Sequence, residues 1–211
     1  MNPEVAAAII AACVGLLTMI GTLAAQYFGH RATSRQLDRT LDEQITRTLN
    51  ERFATAAEQM GSDKPAVRLA GVYAMAGLAD DWRENRDSCV DVLCAYLRMP
   101  YEPDPSLNAH DQKQLAFQAI RGIRHTVIRV ITAHLKGDSA RSWQGLDFDF
   151  TGVVFDGGDF VGPQFSGGEV NFVRAGFSGG EVKFGLARFT AGKVNFAETM
   201  FASGTVNFVS A

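Results

Sequence analysis

The chain contains 211 residues, of which 46% are hydrophobic, so it is long enough for one or two small domains with a sizeable apolar core. Its formal net charge of −3 indicates neither a nucleic-acid partner nor a highly acidic one. The three cysteines exclude a disulfide framework, and "CVDVLC", with Cys89 and Cys94, lacks the two-residue spacer of a metal or redox pair, so we expect small hydrophobic side chains in a reducing compartment.

The first predicted element is an apolar helix. Residues 5–28 carry no charge, and as a helix they would extend about 36 Å, enough to cross a hydrocarbon layer of about 30 Å and contact membrane lipid. Glu4 is the only charged side chain before this run, whereas Arg31, Arg35 and Arg39 follow it. Because basic flanks resist translocation, the sequence predicts a single-pass membrane protein with its N-terminus outside and its C-terminal bulk in the cytoplasm.

Three other interpretations of this run are a signal peptide, a lipoprotein signal and a buried helix. A cleaved signal peptide is disfavoured, because "MNPE" places an acid where such signals carry basic residues. The tetrapeptide "IAAC" is similar to the lipobox of bacterial lipoproteins and would make Cys13 a lipidation site, although the apolar run continues well past it. A buried helix of a soluble protein is the third interpretation.

The next element is a predicted helical stalk at residues 31–60, a polar stretch free of Pro and Gly. Its apolar residues recur at strict four-residue spacing, at Leu37, Leu41, Ile45, Leu49 and Phe53. A coiled-coil seam would alternate steps of three and four, so this spacing does not demand self-association of the stalk.

Residues 61–140 predict a small helical domain, similar in type to HEAT repeats. The first helix begins at Pro65, with Ser62 or Asp63 as the expected cap, because a proline in the first turn loses no hydrogen bond. A second helix is predicted at about 85–98. The prolines of "MPYEPDPS" then break the chain, and a third helix follows at about 111–135.

The third helix carries a basic face, formed by Arg121, Arg124 and Arg129 together with His125. This face is the candidate contact for an anionic partner or a lipid headgroup, and the alternative is a solvated face paired with local acids. The histidines share no metal-ligand or catalytic spacing with a Cys or an acid, and "GDS" at 137–139 lacks the downstream Asp-x-x-His of a hydrolase. The sequence therefore predicts no catalytic, cofactor or metal site, and a protein that is not an enzyme.

The C-terminal third repeats itself. Phe residues first recur every five residues from Phe150, and from Phe165 a twelve-residue unit begins in which Gly follows Phe by three residues, Val by five and a second Phe by seven. Large apolar residues at fixed offsets are typical of a coil whose inward positions stack from turn to turn, with Gly at the corners. The predicted inward-facing residues are Phe150, Phe155, Phe160, Phe165, Val170, Phe172, Phe177, Val182, Phe184, Phe189, Val194, Phe196, Phe201, Val206 and Phe208. The predicted corners are Gly168, Gly180, Gly192 and Gly204.

The positions between these are expected to face solvent and to vary. One such slot is occupied by Asn171, Lys183, Asn195 and Asn207. A meander of β-hairpins is the alternative fold, since Val-x-Phe would place both residues on one face of a strand.

The stretch "DFTGVVFDGGDFVGPQF" resembles pentapeptide repeats, whose pattern is A-(D/N)-(L/F)-x-x with the central residue buried. Asp149, Asp159 and Asn171 each directly precede a Phe, and Ala175 and Ala187 stand two residues before one. The resemblance implies a four-sided right-handed β-solenoid over residues 146–211, from which the twelve-residue unit departs. "GSDKPAVRLAGVYAMAGLA" and "VDVLCAYLR" resemble the helical segment of bacterial membrane-anchored pentapeptide-repeat proteins.

Together these features predict an α+β protein with an anchor (1–30), a stalk (31–60), a helical domain (61–140) and a solenoid (146–211). The expected function is a non-enzymatic membrane-anchored scaffold that presents the solenoid surface to a protein partner. One alternative is a DNA-mimicking, gyrase-binding pentapeptide protein, which needs a long acidic rod, whereas residues 146–211 carry only seven acids against four bases. The other alternative is an unrecognised enzyme in the helical domain.

The last repeat, "FASGTVNFVSA", predicts an open apolar end. Phe201, Val206 and Phe208 would show their faces and unpaired backbone groups to water. We therefore expect this end to be buried against another copy or another protein, with fraying as the competing outcome.

Overall fold

The computed structural model describes residues 2–101 and 111–209, and the side chains of residues 5–13, 23–35 and 111–112 also lie outside the description. The described residues form four α-helices, one short 3₁₀ helix and seven β-strands, so the predicted α+β class is confirmed. The chain divides into two compact units, residues 1–48 and residues 49–211, and each is described by itself.

The elements follow one another along the chain as helices first and strands second. The helices are α1 (Pro3–Met60), α2 (Pro65–Asp81), the 3₁₀ helix (Arg83–Asn85), α3 (Arg86–Arg98) and α4 (Asp111–Leu135). The strands are β1 (Phe148–Asp149), β2 (Val154–Phe155), β3 (Gly158–Asp159), β4 (Gln164–Asn171), β5 (Gly176–Lys183), β6 (Arg188–Asn195) and β7 (Met200–Asn207).

The first unit consists of the N-terminal part of α1. In the part of the chain that the structure describes, no helix has both the length and the apolar character that a membrane crossing requires. The prediction of a single-pass membrane protein with a span at residues 5–28 is therefore wrong. The side chain of the candidate lipidation site, Cys13, lies outside the description.

The predicted stalk is a continuous stretch of α1, in which the four-residue stripe changes its role along the helix. Leu37, Leu41 and Ile45 are exposed in the first unit. Leu49 and Phe53 pack against the core of the second unit. A step of four residues exceeds the 3.6-residue helical turn, so the stripe moves around the helix and its members cannot all face one surface.

Helix α2 begins at Pro65, as predicted, but its capping residue differs from the prediction. Pro65 lies at the beginning of the helix, where its missing N–H leaves no hydrogen bond unmade. The capping residue is Lys64, whose side chain makes no capping hydrogen bond, rather than Ser62 or Asp63. The Ser62 hydroxyl instead accepts a hydrogen bond from the Lys64 backbone N–H, at 3.2 Å.

The helices and the strands of the second unit share one apolar core. Leu78 of α2, Leu93 of α3 and Ile131 of α4 are fully buried, and the same cluster continues into Phe148 and Phe150 at the first strand. The last part of α1 joins this core as well. The helical domain and the repeats are therefore parts of one packed body.

The repeats, residues 148–207, pair as parallel strands in two sheets. One sheet has the order β1-β4-β6, and in the other β5 pairs with β2, β3 and β7. Each of these pairs is parallel, which excludes the alternative of a hairpin meander, because a hairpin joins antiparallel strands.

The pairing register defines the length of a turn. β4 pairs with β6 so that Phe165 lies opposite Phe189, and β5 pairs with β7 so that Phe177 lies opposite Phe201. The first pairs, with Phe148 opposite Val170 and Phe155 opposite Phe177, have a slightly shorter offset. One turn of the later repeats therefore contains two twelve-residue units, which alternate between the two sheets.

Within a turn the inward Phe residues are spaced by five and seven residues in alternation. The series Phe172, Phe177, Phe184, Phe189 and Phe196 has steps of five, seven, five and seven, which together make one turn. The seven-residue steps of β4 and β5 contain the irregularities of register in the ladder. The two extra residues of each long step are thus taken up by β-bulges, without loss of the inward Phe positions.

Candidate interaction surface

The predicted inward residues form parallel stacks, but their burial depends on the turn they belong to. Those of the first two turns up to Phe184 are buried, with Phe150, Phe160, Phe172 and Phe184 at 0% exposure. In later positions the exposed fraction rises to 36% for Phe189, 38% for Phe196, 59% for Phe201 and 47% for Phe208. Val170 and Val182 are buried, whereas Val194 and Val206 are only partly buried.

Each of these exposed rings stacks with one face on a Phe ring of the preceding turn. Phe196 stacks on Phe172 with 4.8 Å between ring centroids, and Phe208 stacks on Phe184 at 5.1 Å. Phe201 stacks on Phe177 at 5.0 Å. Among the described residues, no further ring stacks on the outer face of Phe196, Phe201 or Phe208. That face of each ring is therefore exposed to water.

The same end of the repeats also has open strand edges. Among the described residues, β6 pairs only with β4, and β7 pairs only with β5. A strand with one neighbour leaves alternate N–H and C=O groups available to another strand. We call this surface the end face; it consists of Phe189, Phe196, Phe201 and Phe208 and the outer edges of β6 and β7.

The opposite end of the repeats is covered by helices. The Thr132 hydroxyl of α4 donates a hydrogen bond of 2.9 Å to the Asp159 backbone carbonyl, and Arg98 of α3 forms an ion pair with Asp149. Trp143 is fully buried, and its indole N–H donates to an Asp80 carboxylate oxygen at 3.0 Å. Helices therefore cover one end of the stack, whereas no described residue covers the end face.

A buried carboxylate fixes α4 to the repeats. Asp156 accepts hydrogen bonds from the Tyr101 hydroxyl at 2.6 Å and from the Arg121 Nε at 2.9 Å, and its other oxygen lies 3.1 Å from the His125 Nε2. Burial alone would raise the pKa of Asp156, but the hydrogen bonds from His125 and Tyr101 and the nearby positive charges outweigh it, so the pKa is lowered. Burial, together with the same contact, raises the pKa of Tyr101.

The three arginines of the candidate anionic-partner face do not form one surface. Arg124 is buried and donates to the backbone carbonyls of Leu97 and Val154, at 2.7 and 2.8 Å. Arg121 is paired with Asp156, and Arg129 donates to hydroxyl groups. A period of 3.6 residues places Arg124 on the buried side of α4, which the pattern of the sequence did not separate from its neighbours.

The structure places all four predicted corner glycines at positive φ, between 65° and 88°. A Cβ on Gly168, Gly180, Gly192 or Gly204 would lie 2.0 to 2.4 Å from a backbone carbonyl oxygen of the preceding turn. Both the dihedral angle and the close approach of the backbone therefore require glycine at these positions.

Sequence reasoning missed a role for the polar slot before each inward Phe. The side chains of Asn171, Asn195 and Asn207 each accept a hydrogen bond from the backbone N–H two residues later, at 2.9 to 3.0 Å. Asp149 and Asp159 make the same contact. The D/N position of the pentapeptide pattern carried this signal, because a short side-chain carbonyl or carboxylate can close such a turn.

The described cysteines have the character expected of small buried hydrophobic residues. Cys89 and Cys94 are free and fully buried. Burial raises the pKa of Cys89 to about 11 and that of Cys94 to about 12, so neither thiol ionises near neutral pH. A thiol that stays protonated is a poor nucleophile and a poor metal ligand.

Comparisons with protein-family models, with curated proteins and with solved structures found no match to this chain. These comparisons identify no family for the chain, so the resemblance to pentapeptide repeats stays a prediction.

Proposed function

We propose that this protein is a non-enzymatic interaction module, in which a β-solenoid of the pentapeptide-repeat type presents its end face to a protein partner. Support for the solenoid comes from the parallel pairing of strands at a nearly constant offset and from the stacks of inward Phe residues. Four inward positions recur in each turn, as the four sides of such a coil require.

The observation that carries the proposal is the difference between the two ends of the repeats. Helices α3 and α4 cover the first turn, whereas the last described turn leaves four Phe rings with 36% to 59% exposure beside two open strand edges. Apolar surface and free backbone groups at one place suit strand addition by another chain, in which main-chain hydrogen bonds supply affinity and side-chain contacts supply specificity.

A second copy of this chain satisfies both requirements of such a partner. Its own end face offers the same Phe rings and the same strand edges, so two copies can meet through equivalent surfaces related by a two-fold axis. Another protein with an apolar strand edge satisfies the requirements as well, and the experiment below separates the two.

The paired state of Asp156 favours this function over the enzyme alternative. Its carboxylate is held by three donors, and its pKa is lowered. A carboxylate whose pKa is lowered and that already accepts three hydrogen bonds abstracts protons poorly at neutral pH. The cluster is better explained as the lock between α4 and the repeats.

Site-specific photocrosslinking tests the proposal. A benzophenone amino acid replaces Phe201, which is 59% exposed on the end face, and in a matched control it replaces Tyr73, which is 51% exposed on α2. We expect an adduct from position 201 in cells that express the full chain, and none from position 73. The additional change Phe208→Asp, on the same face, should abolish the adduct because it places a charge in an apolar contact.

The mass of the adduct identifies the partner. Twice the mass of the chain means a second copy, and any other defined mass means a different protein, which peptide mass spectrometry then names. Adducts of equal yield at positions 201 and 73, or no adduct at position 201, would contradict the proposal.

A further inference from the structure

A cavity of about 170 Å³ lies in the helical part of the second unit and shares no lining residue with the end face. Part of its wall is apolar and is formed by Met60 at the end of α1, Met99 after α3 and Ile120 on α4. The rest of the wall includes Arg68, Arg124 and Tyr96. The cavity thus combines an apolar wall with two cations.

Arg124 is the more unusual of the two cations. Only 4% of it is exposed, and its contacts are two backbone carbonyls and the ring of Tyr101, whose centroid lies 4.2 Å from the guanidinium carbon. Among the described residues it forms no ion pair, and burial lowers the pKa of its guanidinium. A buried charge without a carboxylate partner is costly, and a bound anion would offset that cost.

Two further groups on the wall lack a partner: one is an arginine without a carboxylate, and the other is a hydroxyl without a hydrogen bond. Arg68 is half-buried and donates from its Nε to the Ser62 backbone carbonyl at 2.9 Å, and among the described residues it has no carboxylate partner either. Tyr96 is 5% exposed, and its buried hydroxyl makes no hydrogen bond in the described part of the chain. Buried hydroxyl groups in proteins are normally hydrogen-bonded, so this one is available to a ligand in the cavity.

We propose that this cavity binds a small organic carboxylate with a compact apolar body. The carboxylate would lie between Arg68, Arg124 and Tyr96, and the apolar body would contact Met60 and Ile120. An engineered apolar cavity of about 150 Å³ accommodates benzene, so a volume of about 170 Å³ suits a body of that size. A fully hydrated inorganic anion does not suit the apolar part of the wall.

Benzoate is the probe, and benzamide is its control, because the two have nearly the same shape and differ in charge. With the full chain labelled at its methionine methyl groups, we expect benzoate to shift the Met60 and Met99 signals in a saturable manner. Benzamide should bind at least about tenfold more weakly, since a hydrogen bond to a charged group contributes about 1.5–3 kcal/mol.

Two variants keep the test independent of folding. Arg68→Gln changes a half-buried side chain, and Tyr96→Phe removes only a hydroxyl without a described partner, so both should unfold at the wild-type temperature within a few degrees. Arg68→Gln should weaken benzoate binding about tenfold, and Tyr96→Phe should weaken it several-fold. Equal affinity for benzoate and benzamide, unchanged affinity in both variants, or shifts that spare Met60 and Met99 would overturn the proposal.

Discussion

The rings of Phe172 and Phe196 lie 4.8 Å apart and within 2° of parallel, although two complete repeat units separate them in the chain. The same relationship joins Phe165 to Phe189, with 5.0 Å between centroids and an angle of 6°. Because each ring packs on its counterpart in the previous turn, the burial of a Phe depends on whether another turn follows it. Identical residues in identical repeat slots therefore contribute differently to stability.

This dependence predicts a graded cost of truncation along one stack. Phe177→Ala removes a ring that is 2% exposed and lies between Phe155 and Phe201, so the free energy of unfolding should fall by about 3–5 kcal/mol. Phe201→Ala removes the last ring of the same stack, which is 59% exposed, and should cost less than half as much. Chemical denaturation of both variants measures the difference, and equal losses would show that the stack does not end at Phe201.

The corner glycines should tolerate no side chain. In Gly192→Ala the new Cβ would lie 2.0 Å from the Gly168 carbonyl oxygen, so the backbone must shift, and we expect a loss of at least about 3 kcal/mol. Gly152→Ala is the control, because Gly152 also has positive φ, at 68°, but its Cβ would meet no atom within 4 Å. Its free energy of unfolding should fall by only about 1 kcal/mol, because an alanine at positive φ is strained. A similar loss in both variants would show that the contact with the carbonyl oxygen of the preceding turn does not determine the cost.

The polar slot predicts a stabilising change. Lys183 occupies the position in which Asn171, Asn195 and Asn207 accept a hydrogen bond from the backbone, so Lys183→Asn should add such a bond to the Gly185 N–H. The gain should be about 0.5–1 kcal/mol, less the small contribution of the exposed Lys183–Glu181 ion pair. Lys183→Gln is the control, since its longer side chain does not close this turn. Thermal unfolding measures the melting temperature of both variants. Equal shifts would show that an Asn at this position adds no stabilising hydrogen bond.

Acid should weaken the lock between α4 and the repeats. The pKa of Asp156 is lower in the folded chain than in the unfolded one, so its contribution to stability is fully present above pH of about 4 and is lost as the pH falls through the folded-state value. The pKa of Asp149 is also lowered and acts in the same direction. Asp156→Asn should therefore unfold more easily at pH 7 and lose less of its remaining stability between pH 5 and pH 3. If the free energy of unfolding of the variant falls with pH as steeply as that of the wild type over this range, Asp156 does not contribute to the acid sensitivity.

The local pattern of the sequence was sufficient for several elements. α4 has the bounds that the positions of its apolar residues predicted, and α3 begins at Arg86, one residue after the predicted start. The identical repeat offsets were sufficient to locate the four glycines that the structure places at positive φ. These features depend on periodicity and on backbone conformation, which neighbouring residues largely determine.

Features that depend on distant residues could not be predicted in this way. The length of a turn requires knowledge of which strand pairs with which, and the twelve-residue period alone is equally compatible with one unit per turn or with two. Asp156 lies far in sequence from Tyr101 and Arg121, so its cluster has no local signal. The charge-free run at residues 5–28 is part of the longer helix α1, and no described helix has both the length and the apolar character that a membrane crossing requires.

The central claim is that the end face contacts another protein chain, and amide hydrogen exchange measured together with molecular mass tests it most directly. In the full chain at low concentration, the amides of β6 and β7 should exchange much faster than those of β4 and β5, because their outer edges are open. If the partner is a second copy, light scattering at tens of micromolar should show a dimer with protected β7 amides, and Phe208→Asp should restore the monomer and the fast exchange. If the partner is a different protein, the β7 amides should become protected only when that protein is added. A wild-type monomer whose β7 amides are as protected as those of β5 would contradict the claim, because the end of the repeats would then be closed without a partner.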